Sequence, residues 1–343
     1  MARVTSDRNY QQALTAAMAY RQTEIQDLVF NSNPVSAILK ERGMYKSFTG
    51  PEIRVPLTVD KLDGQWFTGF DPLNNAPKEI LNSAVFTPKN LAVGFSLSGT
   101  QLRGNEGATQ VIDLYEAYMD NATESMRDEW EVSLHGAGTG SNGREMIGMG
   151  GALPIVPTSG TYGGIDRALN PIWQPSVFDA ATDFASIGAT GWDSTTARGI
   201  IENVTARRSK GNRYPSIWIM DLATYQPLSA SLTAIQRIQR ENGGSGKPTL
   251  GFNGLEVATP VGNVTVYCAT GVDNVMPANT AYFIDPKGLE VRYMADYNMV
   301  PLFPGDGAMP VNQDAYAQYL LWVGELVLRN PRYSGRLVAT PTV

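Results

Sequence analysis

The sequence predicts an α+β protein organised on one long helix, and three patterns predict it. Val111, Leu114, Tyr115, Tyr118, Met119, Ala122, Met126 and Trp130 recur at helical steps of three, four, seven and eight residues across positions 106–135. Ile53, Val55, Leu57 and Val59 alternate with their neighbours, as do Leu91, Val93, Phe95 and Leu97, which is the period of a strand. Residues 176–310 then mix short apolar runs with helix-spaced stretches, separated by turn residues.

Taken in order, the chain opens on an exposed arm of some thirty residues with a helical centre at Tyr10, Leu14, Met18, Ile25 and Leu28. Asn31, Ser32, Asn33 and Pro34 break that pattern and cap a short helix over 35–42, stopped at Gly43. The two alternating runs form the arms of a hairpin whose crossing segment is about 30 residues, far above the usual two to five. That segment carries Trp66, Phe67, Phe70 and Leu73, punctuated by Gly64, Gly69, Pro72 and Pro77. A two-stranded ribbon is marginal alone, and an aromatic cluster at its end needs cover. The expectation is oligomerisation through this loop, the alternative being that it folds back on its own body.

The long helix has a charged face at Asp113, Glu116, Asp120, Glu124, Asp128 and Glu131, no proline, and a glycine-rich stop at 136–143. Thirty helical residues span about 45 Å, so this element is a beam on which sheets can be laid. The competing reading is a long core helix of an enzyme. A short strand is expected at 153–156. Helices are expected at 195–209 and within 225–240, and strands at 217–220, 255–257, 264–268, 281–284 and 289–293. A long apolar run, 316–328, and a shorter one, 336–339, are expected to close back on the middle of the chain beside the helix.

Composition narrows the function classes. With 343 residues and 43% hydrophobic content the chain can bury a substantial core. Lys+Arg of 27 against Asp+Glu of 33 gives 27 − 33 = −6, which disfavours a dedicated nucleic-acid binder. The single cysteine, Cys268, excludes an intrachain disulfide framework and a thiolate zinc site. No run reaches the roughly 18 apolar residues of a membrane span, and the N-terminus lacks a secretory apolar core. A reducing, aqueous compartment is expected, with no membrane partner.

No motif carries chemistry convincingly. Gly138–Gly143 matches G-x-G-x-x-G but follows a helix instead of a strand, so it reads as a turn. His135 is the only histidine, and it reads as a helix C-terminal residue favoured by the dipole. Asp221 and Asp285 follow strands and are the acids on which a carboxylate-based α/β enzyme would rest, though turn or cap roles fit them better. Arg207, Arg208, Lys210 and Arg213, with Arg237 and Arg240 downstream, form the one basic cluster. Lacking interleaved aromatics, it reads as a solvated or subunit-facing helix end, and the sequence does not say which way it points. No catalytic, cofactor-binding or metal-ligating residues are assigned.

A resemblance adds to this reading. Gly163-Gly164-Ile165-Asp166-Arg167, followed by Asn170-Pro171-Ile172-Trp173, resembles the major capsid proteins of tailed bacteriophages, which share the Hong Kong 97-like fold. Four further stretches agree in order. They are Asn33-Pro34-Val35 through Gly43, Gly50-Pro51-Glu52-Ile53, Gly104-Asn105-Glu106-Gly107 with Val111-Ile112-Asp113-Leu114, and Trp322 through Arg329-Asn330-Pro331-Arg332 to Gly335-Arg336-Leu337.

The resemblance implies an N-terminal arm and short helix (1–47) and an extended loop (48–98). It also implies a peripheral domain with a spine helix (99–175, helix 106–135), an axial domain (176–310), and C-terminal strands returning to the peripheral domain (311–343). It implies self-assembly into hexamers and pentamers of an icosahedral shell around double-stranded DNA, located in the virion after assembly in the host cytoplasm. Candidate self-assembly residues are Trp66, Phe67, Phe70, Tyr10, Leu14 and Trp130. Because the chain reaches its arm at once, a scaffolding protein is expected to be separate. A portal protein and possible decoration protein are further implied partners, and no cofactor is expected. Some relatives cross-link a loop lysine to a neighbour's asparagine. Lys61, Lys78, Asn330 and Glu325 have suitable side chains, but the matched motifs do not place them in that role. The alternatives are a cellular encapsulating shell of the same fold and the carboxylate enzyme.

Overall fold

The computed structural model describes residues 34–58, 62, 64–72, 77, 80–100, 108–231, 254–269, 275–302 and 314–339. The described chain begins with helix α1, Pro34–Glu41. Proline starts a helix well because its missing N–H has no intrahelical partner to lose. Gly43, at φ +66°, ends it. Met44 N–H donates to the Leu39 carbonyl and Gly43 N–H to the Lys40 carbonyl, the paired bonds of a Schellman stop.

Strands β1 (Tyr45–Phe48), β2 (Ile53–Thr58), β3 (Leu81–Phe86) and β4 (Lys89–Ser98) precede helix α2, Ala108–His135. A short helix α3 (Met149–Ala152) and ribbon strands β5 (Thr161–Tyr162) and β6 (Ile165–Asp166) follow. The rest comprises β7 (Ser176–Asp179), α4 (Ala197–Arg207), β8 (Ile217–Asp221), α5 (Leu222–Ser231), β9 (Leu255–Ala258), β10 (Asn263–Ala269), β11 (Thr280–Ile284), β12 (Leu289–Pro301), β13 (Ala315–Leu328) and β14 (Gly335–Val338).

Two sheets organise these elements. A four-stranded sheet runs β1-β12-β13-β4, and a six-stranded sheet runs β7-β14-β11-β8-β10-β9. Helix α2 packs on the first. Met119, Ala122, Met126, Trp130 and Leu134, spaced three or four residues apart, are all buried. Trp130 sits edge-on to Trp322 of β13 with ring centroids 4.4 Å apart, and its indole Nε1–H donates to Ser36 Oγ of α1 at 2.8 Å. One side chain thus joins the helix, the sheet and α1.

The six-stranded sheet is buried on both faces, which is why 217–220 reads as a continuous apolar run without alternation. Ile217, Ile219, Tyr282 and Ile284 belong to the same core as Trp130. Trp218, Met220, Ala281 and Phe283 face the opposite way, into a second core with Ile200, Ile201 and Val204 of α4. The sheet is a partition with one core on each side.

The chain passes between the sheets three times, from β4 to β7 by way of α2, from β11 to β12 and from β13 to β14. The last two crossings are bonded together: Arg329 N–H donates to the Gly288 carbonyl at 2.7 Å, and Asp285 N–H to Ser334 Oγ at 3.1 Å. At Gly335 a Cβ would lie 1.9 Å from the Ser176 carbonyl oxygen and 2.4 Å from the Phe283 ring, so that close approach requires glycine.

Several sequence expectations are corrected. β2 pairs antiparallel with β3, from Ile53↔Phe86 to Thr58↔Leu81, and not with the 91–97 run. That run is β4, which pairs with β13 beneath α2. Alternation reports that one face of a strand is buried; it does not name the neighbouring strand. β12 extends to Pro301 and joins the four-stranded sheet, not the 176–310 unit. β14 enters the six-stranded sheet between β7 and β11, so only β13 of the two C-terminal strands lies beside α2. Residues 153–156 form no strand, and Ile155 and Val156 are exposed.

Candidate assembly surfaces

The hairpin is anchored at one end and bare at the other. At its base Ile53, Val55, Ala84 and Phe86 are buried, Val85 N–H donates to the Gly163 carbonyl at 2.9 Å, and Phe86 meets Tyr162 edge-on at 5.0 Å. Past the ladder the exposure reverses. Trp66 is 103% exposed, Phe70 106%, Phe67 61% and Leu62 72%. A tight turn displays the rings: Thr68 N–H donates to Asp71 Oδ2 at 3.0 Å, Asp71 N–H returns to the Thr68 carbonyl at 3.2 Å, and Gly69 takes φ +58°. None of the three aromatics is covered by the described residues of its own chain.

The other candidate assembly residues fare differently. Tyr10 and Leu14 lie outside the described residues, as do Lys61, Lys78, Arg237 and Arg240. Trp130 is corrected: it is fully buried against Trp322 and Ser36 and presents nothing to a neighbour. A tryptophan in an amphipathic stripe can serve its own core or a partner's, and here its own sheet takes it.

The basic cluster is not one patch. Arg213 is spent on Asp285, Nη2 to Oδ2 at 3.0 Å, and lies over Tyr333. Arg207 and Arg208 lie over Phe184 and Phe178 at 5.4 and 5.1 Å. The aromatic partners that sequence reading found missing come from distant positions in the chain, so local composition had no signal for them.

The acids do not make a catalytic cleft. β8 and β11 are antiparallel with Met220 opposite Ala281 and Ile217 opposite Ile284, so Asp221 and Asp285 sit at opposite ends of the pair. Asp221 accepts the Thr224 hydroxyl and the N–H groups of Asn279 and Thr280. Asp285 accepts Lys287 N–H besides its arginine. Among the described residues no three His, Cys, Asp or Glu side chains gather as metal ligands would, and no helix is long and apolar enough to cross a membrane.

Gly138–Gly143 is a turn, with Ser141 and Asn142 in the left-handed region at φ +48° and +59°. A Cβ on Gly140 would collide with the Glu145 carboxylate, a group that would repel a phosphate. His135 is not a dipole-supported cation. Burial lowers its pKa to about 4, and the neutral ring stacks near Tyr282.

Two glutamates show how burial and charge compete. Burial pushes the Glu290 carboxyl up, but Lys46, Arg292 and Arg329 around it overcome this and hold it below its ordinary value. Glu325 in β13 has weaker company, with Lys89 the cation that opposes burial there. Its Oε1 accepts Ile147 N–H at 2.7 Å, its Oε2 has no hydrogen-bond partner among the described residues, and burial drives its pKa up to about 8. A carboxyl raised from an unfolded value of 4.5 is neutral when folded, so its cost grows as pH rises from 4.5 through 8. The full cost is on the order of 5 kcal/mol. Glu325→Gln keeps an acceptor for Ile147 and removes the ionisation. Denaturant melts between pH 5 and 9 are expected to show the variant gaining on the parent chain as pH rises; parallel curves would refute the assignment.

The structure superposes on a chain of the cyanophage A-1(L) capsid with a TM-score of 0.63 and 14% sequence identity, covering 89% of this chain and 93% of that one. The capsid of a native GTA particle gives 0.55 and 13%, covering 88% and 90%. The capsid of Myoviridae phage XM1 gives 0.50 and 11%, covering 85% and 86%. This chain has the phage capsid fold. Neither a protein-family model nor a curated protein matches the sequence. At such identities the capsid fold is held by burial pattern more than by particular residues. In this chain the fold is α+β, with α2 as its longest described helix and β2 and β3 paired as a separate hairpin.

Proposed function

We propose that this chain is a structural shell protein that assembles with copies of itself into hexamers and pentamers of an icosahedral virion, enclosing double-stranded DNA without reading its sequence. The observation that carries the reading is the uncovered aromatic tip of a projecting hairpin on a body with the capsid fold. Aromatic side chains bury about 150–250 Å² each, so Trp66, Phe67 and Phe70 together offer roughly 600 Å². A standard interface takes about 800 Å² per partner, so the tip supplies most of one.

The net charge of −6 sets a mild repulsion between copies that apolar burial must outweigh, and it keeps the wall from clinging to DNA. Portal, scaffolding and decoration proteins are further partners of this reading. Size-exclusion chromatography with negative-stain microscopy tests it: capsomers or closed shells are expected from the purified chain. A stable monomer under assembly-promoting salt with scaffold present overturns it.

A further inference from the structure

A hollow of about 380 Å³ lies where the turn at Pro171–Trp173 meets the start of β7 and the turn at Pro331–Tyr333. Arg208 and Arg332 line it, and three prolines, Pro157, Pro171 and Pro175, wall it. No carboxylate is paired with either arginine among the described residues, although the molecule carries an excess of acids. Elsewhere Asp285 pairs with Arg213, and Glu290 with Lys46, Arg292 and Arg329, while the buried Arg167 and Arg336 have no carboxylate among the described residues but donate to the Gly151 and Ala152 carbonyls and to Thr280 Oγ1. Arg208 Nε is buried without a hydrogen-bond partner. Its guanidinium is held over the Phe178 ring, so it is positioned before any ligand arrives. Burial, and then the nearby Arg332 and Arg207, lower its pKa, which shows that like charges face each other here without relief.

We propose that this hollow receives a carboxylate from a second copy of the chain. Three observations select that occupant. Two guanidinium forks with no counter-ion fit an oxyanion, bidentate with each. Part of the rim is apolar: Ile172, beside Gln174 and Ser176 in the lining, is 38% exposed, and Ile155 and Val156, which precede the lining residue Pro157 in the chain, are 58% and 56% exposed. A free ion or a phosphate backbone would satisfy the arginines and leave that rim wet, whereas a protein segment covers both. Finally, a chain of net charge −6 has surplus acids to offer its copies. The contact is heterologous, joining different surfaces of successive copies, the geometry that closes rings.

The inference rests on the shell reading and is separable from it. The full-length chain is compared with Arg208→Glu/Arg332→Glu, Arg208→Gln/Arg332→Gln and Arg208→Lys/Arg332→Lys, monitoring assembled fraction by light scattering and folding by circular dichroism. At least a ten-fold loss of assembly is expected for the glutamate pair with unchanged folding, and retention of most assembly for the lysine pair. If charge reversal unfolds the subunit, the glutamine pair decides on the same ten-fold criterion. A glutamate pair, or in that case a glutamine pair, that assembles like the parent overturns the inference while the shell reading stands. A parent chain that never assembles removes both. Binding of a short DNA duplex that the glutamate pair loses, with assembly intact, also overturns it and assigns the hollow to nucleic acid.

Discussion

Replacing Trp66 and Phe67 with serine is expected to leave a folded subunit that no longer assembles. Both rings project from the turn held by Thr68 and Asp71, and no core residue touches them closely enough to cover them. Exposed substitutions outside special features shift stability by no more than about 0.5 kcal/mol, so the unfolding midpoint should hardly move. Assembly is different, because tryptophan anchors at interfaces are worth about 2 kcal/mol or more each and every copy in a shell repeats the loss. Micrographs showing normal shells from the double variant would remove the hairpin tip from the interface. A large drop in melting temperature would show that the tip supports its own body instead.

Trp130→Ala should do the reverse. The side chain is fully buried, packs edge-on to Trp322, and satisfies Ser36 of α1. Truncating a buried tryptophan costs about 3–5 kcal/mol, and an orphaned partner adds to this. Against a typical total of about 5–15 kcal/mol, that is enough to leave much of the chain unfolded at 37 °C. Denaturant titration reads the loss directly, and a shift under about 1 kcal/mol would contradict the packing described. Trp130→Phe keeps most of the apolar volume and loses the indole donor, so it should fall between. The two tryptophans are therefore expected to have opposite fates, one acting on assembly and the other on folding.

The sequence does not distinguish those tryptophans by composition, and the reason is physical. Trp66 lies among glycines and prolines with no periodic stripe, so the pattern left open whether its own body or another molecule covers it. Trp130 lies on a helical stripe, which proves burial against something without naming whose sheet. Helix α2 was legible because an apolar stripe free of proline over that length has few other solutions. Strand existence was legible for the same kind of reason, whereas strand partners were not. The 91–97 run chose β13 over the hairpin because it lies beneath α2, a fact of topology and not of pattern. Glu325 was visible as an acid inside a long apolar strand, but its unpartnered oxygen depends on Ile147, 178 residues away in sequence. The arginine stacks on Phe178 and Phe184 were hidden in the same way.

The two bonded crossings between the sheets have a mechanical consequence. Two strand connections, tied by Arg329 to Gly288 and by Asp285 to Ser334, leave no single-stranded pivot about which the halves could swivel. The partition strand β8 also fills both cores, so a relative rotation would open voids on each side at once. In the proposed shell, copies placed at sites of different local curvature would then share one stiff torso. The difference in fit has to be absorbed where a copy reaches out toward its neighbours, beyond the last rung of the ribbon at Thr58 and Leu81.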